Sequence, residues 1–501
     1  MSAILEWAQP CGTAQGQACA GKTLMPTHRG APPCQADTSW CTISSNSSDW
    51  FSVCAQGRGD SDLVPRRVDL WEERMNFPNM IRVRQQLVAP TLPDVRATVR
   101  AELQKLNLAA RVKAGQRVAI PAGSRGIANI VTVLETVVQE MQALGLSPFI
   151  FPAMGSHGGA TAEGQREVLA TYGITEGRLR VPIRASMEVV ELARTPRGIP
   201  VLVDKIAAEA DWVAVINRIK PHTEFSGDIE SGLIKMMAIG FGNHRGALQT
   251  HQYAVKHSYR VAIPEIGTAI LHQLPVLFGL GLLENAYDQT ANVVAIPPEQ
   301  FVPEEKRILR EARTLMARLP VEFLHVLIVD EMGKDISGSG MDTNVIGRLM
   351  VIGEPEPTTP KILRIYVRDL SEKTYGNAIG IGLADFCSQR LAAKIDPLPT
   401  QINCVTAMTP EKARIPITLT TDREAIATAL TTVGPIDPWE ARVIRIKNTL
   451  EMEEMQVSEA LMDELKGRRD VTPIGGLEPL VFDAAGNLPP IFHHQRQFDR
   501  Q

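Results

Sequence analysis

Between residues 218 and 251 the chain gathers side chains suited to chemistry rather than to packing. His222 and His251 offer imidazoles and Lys235 an ammonium. Gly227, Gly232, Gly240, Gly242 and Gly246 give the backbone the freedom that close approach to a ligand needs. A packing segment of this length would repeat its apolar residues at a period of about 2 or 3.6, and only Leu233 to Ile239 comes near that. An imidazole with an ordinary pKa of about 6.5 suits proton transfer at neutrality. Two earlier groups fit the same chemistry. Arg125 has a planar fork that can bond both oxygens of a carboxylate, and His157 sits in the run GSHGGAT.

Positioning these residues requires elements whose loops meet. Arg117 to Pro121 reads as a strand, and Ile127, Ile130, Val131, Leu134, Val137, Val138, Met141 and Leu144 recur at helical spacing up to Gly145. Ser147 to Pro152 reads as the next strand, so the span predicts a βαβ unit with parallel strands and a right-handed crossover. Both strands then end on one sheet edge, where open α/β sheets bind ligands, and that edge receives Arg125 and His157. A third strand, Asp211 to Ile216, delivers His222 there too. The helix after GSHGGAT, capped by Thr161, is expected to aim free N–H groups at the crevice and to suit a phosphate or carboxylate. On a helix from Arg245 to Val255, His251 lies roughly 10 Å along the axis from His244, too far for the two to share one metal.

A chain of 501 residues, 44% hydrophobic and 22% charged, is long enough for two or three domains. A net charge of −4 gives no reason to expect a nucleic-acid or anionic-membrane partner, and no apolar run reaches the ~18 residues of a membrane span. Five of seven cysteines fall in the first 54 residues without metal-binding spacing, and only Cys387 and Cys404 serve the rest. That usage fits a reducing, cytoplasmic setting. Residues 1–74 lack periodicity and are expected to be disordered or an over-extended addition. The fold class expected is α/β: two α/β domains with the active site in the cleft between them. The first domain is drawn over 75–315 and the second over 316–486, with a frayed tail over 487–501. In the second domain, strands are expected at 324–330, 362–367, 401–407 and 442–446. Helices are expected at 378–393, 422–432 and 458–466, after a connecting helix at 303–319. The glycine-rich loop 331–340 is the candidate for closing over the site.

The set GSHGGAT, PHTEFSG, GLIK and a histidine sixteen residues after that lysine resembles the N-terminal half of the nickel-dependent lactate racemase family and its wider group of 2-hydroxyacid racemases and epimerases. By motif the resemblance runs from about Val118 to His257. It implies a nickel pincer nucleotide held between two α/β domains, a pyridinium mononucleotide whose thioacyl sulfurs and ring carbon grip Ni(II). It also implies an isomerase that moves a hydride reversibly between a 2-hydroxyacid and the cofactor. Carried over residue by residue, Lys235 would tether the cofactor, His251 ligate nickel, His157 and His222 act as the acid/base pair, and Arg125 hold the substrate carboxylate. Ser226 and Gly227 would line the cofactor, and Lys334 and Asp335 would be the second domain's contribution to it. Ala122 stands where the racemases carry an acidic residue, and the stretch from His222 to Lys235 is lengthened around Asp228-Ile229-Glu230. A substrate larger or more polar than lactate is therefore expected. Proteins that make the cofactor are the implied partners. Two other readings stand beside this one: a metal hydrolase using His157, His222 and His251, and a noncatalytic protein that binds a nucleotide or the nickel cofactor.

Overall fold

The computed structural model describes residues 76–124, 126–490 and 492. Arg125, the segment 1–74 and most of the tail beyond residue 490 lie outside the described residues, as do the expectations that fall on them.

The strands in chain order are β1 (Asn79–Gln85), β2 (Arg117–Ala122), β3 (Ser147–Pro152), β4 (Val189–Arg194), β5 (Pro200–Asp204), β6 (Trp212–Arg218), β7 (Val276–Glu284), β8 (Thr290–Ile296), β9 (Phe323–Val329), β10 (Lys361–Val367), β11 (Phe386–Ser388), β12 (Ile417–Leu419), β13 (Val443–Ile446), β14 (Glu454–Ser458) and β15 (Val471–Pro479). They form a five-stranded sheet in the order β3-β2-β6-β7-β8, an eight-stranded sheet in the order β12-β11-β10-β9-β13-β14-β1-β15, and the hairpin β4-β5. The α/β character is plain in both large sheets. β2, β3, β6 and β7 are parallel, with β8 antiparallel at the edge. In the larger sheet β9 to β13 run parallel, and β14, β1 and β15 close it with antiparallel pairs.

The period-2 alternation of β2 explains why the smaller sheet is covered on both faces. Val118, Ile120 and Ala122 pack with Leu134, Val137 and Met141 of the helix Ile130–Ala143, while Ala119 belongs to the opposite layer with Ile263, Ile266 and Ile270 of the helix Tyr259–Gln273. The register Ala122↔Pro152 ends β2 and β3 together, and β6 runs parallel beside β2. One sheet edge thus carries the loops that begin at residues 123, 153 and 219.

Several expectations change. β1 lies in the larger sheet, between β14 and β15, so residues 79–85 do not join the elements of the 75–315 span. The strand expected at 401–407 is part of the helix Pro397–Thr406. Asp396 caps it by accepting from Leu398 N, Pro397 opens it, and Leu398, Ile402 and Val405 are exposed apolar residues on it, which made the segment read as a strand. The helix expected at 378–393 is broken by Gly380 in the left-handed region (φ 91°), and only Gln389–Lys394 is α-helical, capped by Ser388. The start of the expected 487–501 tail is not frayed. Leu488 is buried, its carbonyl accepts from Arg368 and its N–H donates to Asp422, and Pro489 O accepts from Arg445. Among the described residues no helix is long and apolar enough to cross a membrane.

Candidate functional site

Lys235 ends a short helix, Leu233–Lys235, that widens at once into a π-helical turn, Met236–Gly240. Such turns often mark functional sites, because an extra residue per turn redirects side chains. The buried carboxyl of Glu305 fixes this turn by accepting from Ile234 N at 3.0 Å. The helix Tyr259–Gln273 presses on it so closely that a side chain at Gly267 would lie 2.6 Å from Ile234 O. Lys235 therefore leaves a rigidly packed segment.

His222 follows β6, and its segment is folded by Glu230, from the lengthened stretch noted in the sequence. That carboxylate is buried and accepts from His222 N at 2.6 Å and Gly227 N at 2.9 Å, while Arg313 pairs with it at 2.6 Å. His222 Nδ1 accepts from Glu224 N at 3.0 Å. An imidazole nitrogen that accepts carries no hydrogen, so the neutral ring holds its proton on Nε2. Burial, followed by the charges of Lys235, Lys220 and Lys412, pushes the imidazole well below its usual pKa. The ring is neutral at physiological pH.

His251 lies on the helix Asn243–His257 with its Nδ1 2.7 Å from Tyr259 Oη, and the Tyr259 hydroxyl also reaches Ala407 O at 3.5 Å. Burial brings His251 down to about 4, with Lys235 adding and Glu224 opposing. Tyr259 stacks on Phe225, which in turn lies 4.5 Å from the His222 ring. The two imidazoles are joined through that aromatic pair and feel the same lysine.

The larger lobe closes on this cluster. Asp342 caps the turn Thr343–Ile346, from which Asn344 Nδ2 donates to His222 O at 3.1 Å and Thr343 Oγ1 donates to Thr223 O at 2.9 Å. Ser339 Oγ donates to Thr223 Oγ1 at 2.9 Å, so the glycine-rich loop after β9 does meet the site. Glu354 accepts from Tyr259 N at 2.6 Å, and Lys412 Nζ lies 3.6 Å from Glu224 Oε1.

The structure thus brings His222, Lys235 and His251 together. His157 sits on the neighbouring loop, half-buried, its N–H donating to Met154 O. That loop turns through Gly158 (φ 66°), where a Cβ would meet Gln165 N at 2.5 Å. Thr161 caps the following helix as expected, and its hydroxyl takes Gly164 N, so that donor is not free for a ligand. Ser226 is exposed, and the Gly227 N–H is committed to Glu230. Lys334 bonds Asn403, and Asp335 accepts from Ser371 Oγ at 3.0 Å on an exposed turn. His325 accepts from Arg442 N and His257 stacks on Tyr253, contacts that hold the fold. The sequence reading missed Tyr259, Glu224, Glu230, Glu305 and Lys412. Glu224 and Glu230 stand inside the motif region and were the discoverable ones, whereas Lys412 lies in a proline-flanked turn with no pattern to mark it.

His222 after β6, Lys235 on its short helix and His251 on the helix Asn243–His257, with a second α/β lobe bonded over them, define an α/β protein with a candidate site where its two lobes meet. Residues 75–262 match the family described as lactate racemase N-terminal domain. Among solved structures, the lactate racemase apoprotein from Thermoanaerobacterium thermosaccharolyticum is 13% identical with a TM-score of 0.46, over 73% of this chain and 94% of that one. A protein from Thermotoga maritima is 14% identical with a TM-score of 0.43, over 58% of this chain and 73% of that one. No curated protein matches the chain.

Proposed function

We propose that the chain is an isomerase that interconverts the configurations of a 2-hydroxyacid at C2, using a nickel pincer nucleotide. The observation that carries this reading is the grouping of His222, Lys235 and His251 where the two lobes meet, with both rings neutral. His251 suits nickel because its depressed pKa leaves the imidazole unprotonated, and an Nδ1–H donated to Tyr259 would leave Nε2 as the ligating atom. Among the described residues no three of His, Cys, Asp and Glu could hold a metal together. A single protein nitrogen fits an ion whose other donors come from an organic group, and the hydrolase reading lacks its ligand set. Lys235 would hold that group, and Lys334, Asp335, Ser226 and Gly227 remain candidates for its periphery.

When bound, the cofactor supplies the hydride acceptor. The chain's own residues move the proton and hold the substrate. Arg125 takes the carboxylate in a two-oxygen fork. His157 acts as the base toward the C2 hydroxyl. His157 returns that proton to the C2 oxygen once the hydride is back on C2, and His222, with its proton on Nε2 and its Nδ1 engaged by Glu224 N, steadies the C2 oxygen by a hydrogen bond from Nε2.

Protein produced together with the enzymes that make the cofactor should interconvert members of a panel of D- and L-2-hydroxyacids in deuterated solvent, read by chiral chromatography. Larger or more polar acids should turn over better than lactate, with little deuterium entering C2. No interconversion of any member would favour the noncatalytic, cofactor-binding reading.

A further inference from the structure

The break between the helix of His251 and the helix of Tyr259 is closed from the other lobe. Ser258 stands at the N-cap of the helix Tyr259–Gln273, but at φ 66° its side chain makes no capping bond. The first N–H groups of that helix need an acceptor from elsewhere. Glu354 supplies it: its side chain is fully buried, its Oε1 accepts from Tyr259 N at 2.6 Å, and its Oε2 lies 3.4 Å from Arg260 Nε. A carboxylate suits this end of a helix dipole. The arm that brings it leaves the larger lobe after the turn Thr343–Ile346 and returns at β10. Leu349 and Val351 of the arm are buried in the smaller lobe's core with Ala254, Tyr259 and Ala262. Glu356 keeps the arm folded by accepting from Leu349 N at 2.8 Å and Met350 N at 2.7 Å.

The same lobe also reaches the far end of Tyr259. Its hydroxyl donates to Ala407 O at 3.5 Å, at the end of the helix Pro397–Thr406, and stands 2.7 Å from His251 Nδ1. A hydroxyl has one proton. With that proton on Ala407 O, the oxygen can only accept from His251, so the neutral imidazole carries its hydrogen on Nδ1 and leaves Nε2 bare. We infer that Glu354 is a positioning residue for His251: by capping the helix at Tyr259 it holds the hydroxyl between Ala407 O and the imidazole, so that the larger lobe sets the tautomer of the proposed metal ligand. The inference rests on the reading of His251 given above, and Glu354 acts through Tyr259 without touching metal or substrate.

Nuclear magnetic resonance of the full chain without cofactor, labelled with nitrogen-15 at histidine and assigned with His251→Gln, reads the tautomer directly. Native His251 should carry hydrogen on Nδ1 only. Glu354→Ala should turn this into a mixture of the two tautomers, whereas Glu354→Gln, which keeps an acceptor oxygen for Tyr259 N, should stay native. In cofactor-loaded protein Glu354→Ala should lower nickel retention about tenfold. It should lower retention no further in the Tyr259→Phe background, because the effect passes through that hydroxyl, whereas a merely structural loss would add to it. An unchanged His251 tautomer in Glu354→Ala overturns the inference, and so does full additivity of the two changes. If Glu354→Ala does not fold, Glu354→Asp, which withdraws the carboxylate by one methylene, takes its place under the same criteria. The tautomer is read without metal, so it judges the positioning by itself, and native loaded protein that retains no nickel would count against the proposed function instead.

Discussion

An imidazole holds a metal well when its second nitrogen is fixed, and Tyr259 gives His251 that fixture at 2.7 Å. Tyr259→Phe keeps the ring that stacks on Phe225 and deletes only the hydroxyl. It should leave the fold intact and lower nickel retention by roughly 10- to 100-fold, the usual scale for loss of such a partner. His251→Ala should abolish retention altogether. Metal content of folded, cofactor-loaded protein decides both, and unchanged nickel in His251→Ala would remove the ligand assignment. His251 could be singled out in the sequence by its distance from Lys235, but its partner could not. The helix carrying His251 ends at Ser258 in the left-handed region (φ 66°), so Tyr259 starts a new helix and shares no helical spacing with its histidine.

Among the elements, the turn 233–240 depends most on a residue far away in the chain. Glu305, on the helix Phe301–Leu315, is fully buried, and burial raises its carboxyl from 4.5 to about 8, against the pull of the Ile234 and Leu233 N–H groups. In the fold this carboxyl keeps its proton up to about pH 8, whereas in the unfolded chain it loses it near 4.5. The native state therefore binds more protons between those values, and the contribution to stability is complete below the lower one and lost as pH rises through the upper. The melting temperature should fall between pH 6 and pH 9. Glu305→Gln, which cannot ionise and keeps an acceptor for Ile234 N, should flatten that fall by several degrees. An equally steep fall in the variant would mean that another group titrates. The βαβ unit at 117–152 was legible because its periods are local, 2 in the strands and 3.6 in the helix. A helix with an exposed apolar face, such as Pro397–Thr406, breaks the link between apolar pattern and burial on which such reading relies, and the widening at Met236–Gly240 has no local signature of its own.

At the scale of the whole molecule, the chain starts in the larger sheet with β1, builds the smaller lobe, and returns to the larger sheet at β9. No local pattern could reveal this, because β1 meets its partners far along the chain, as in the Arg82–Glu454 bond across 372 residues. Removal of residues 1–74 should leave the melting temperature of the rest nearly unchanged. Removal through Gln85 takes away the buried Met80 and Val83 and the neighbour of both β14 and β15, and should cost soluble protein. The same topology means that two crossings and a short set of polar contacts hold the lobes in register around the site. Ser339, Thr343 and Asn344 all bond the backbone or side chain of His222 and Thr223. Each such bond contributes about 0.5–1.5 kcal/mol net, so the combined variant Ser339→Ala, Thr343→Val and Asn344→Ala should loosen closure by roughly 2–4 kcal/mol. The cores of both lobes are untouched by these changes. Hydrogen exchange over residues 219–232 should accelerate on the order of tenfold or more while exchange in β2 and β9 stays slow, and turnover by loaded protein should fall together with it. Unchanged exchange over 219–232 would mean that packing alone holds the lobes closed, and that these three side chains serve only their own turn.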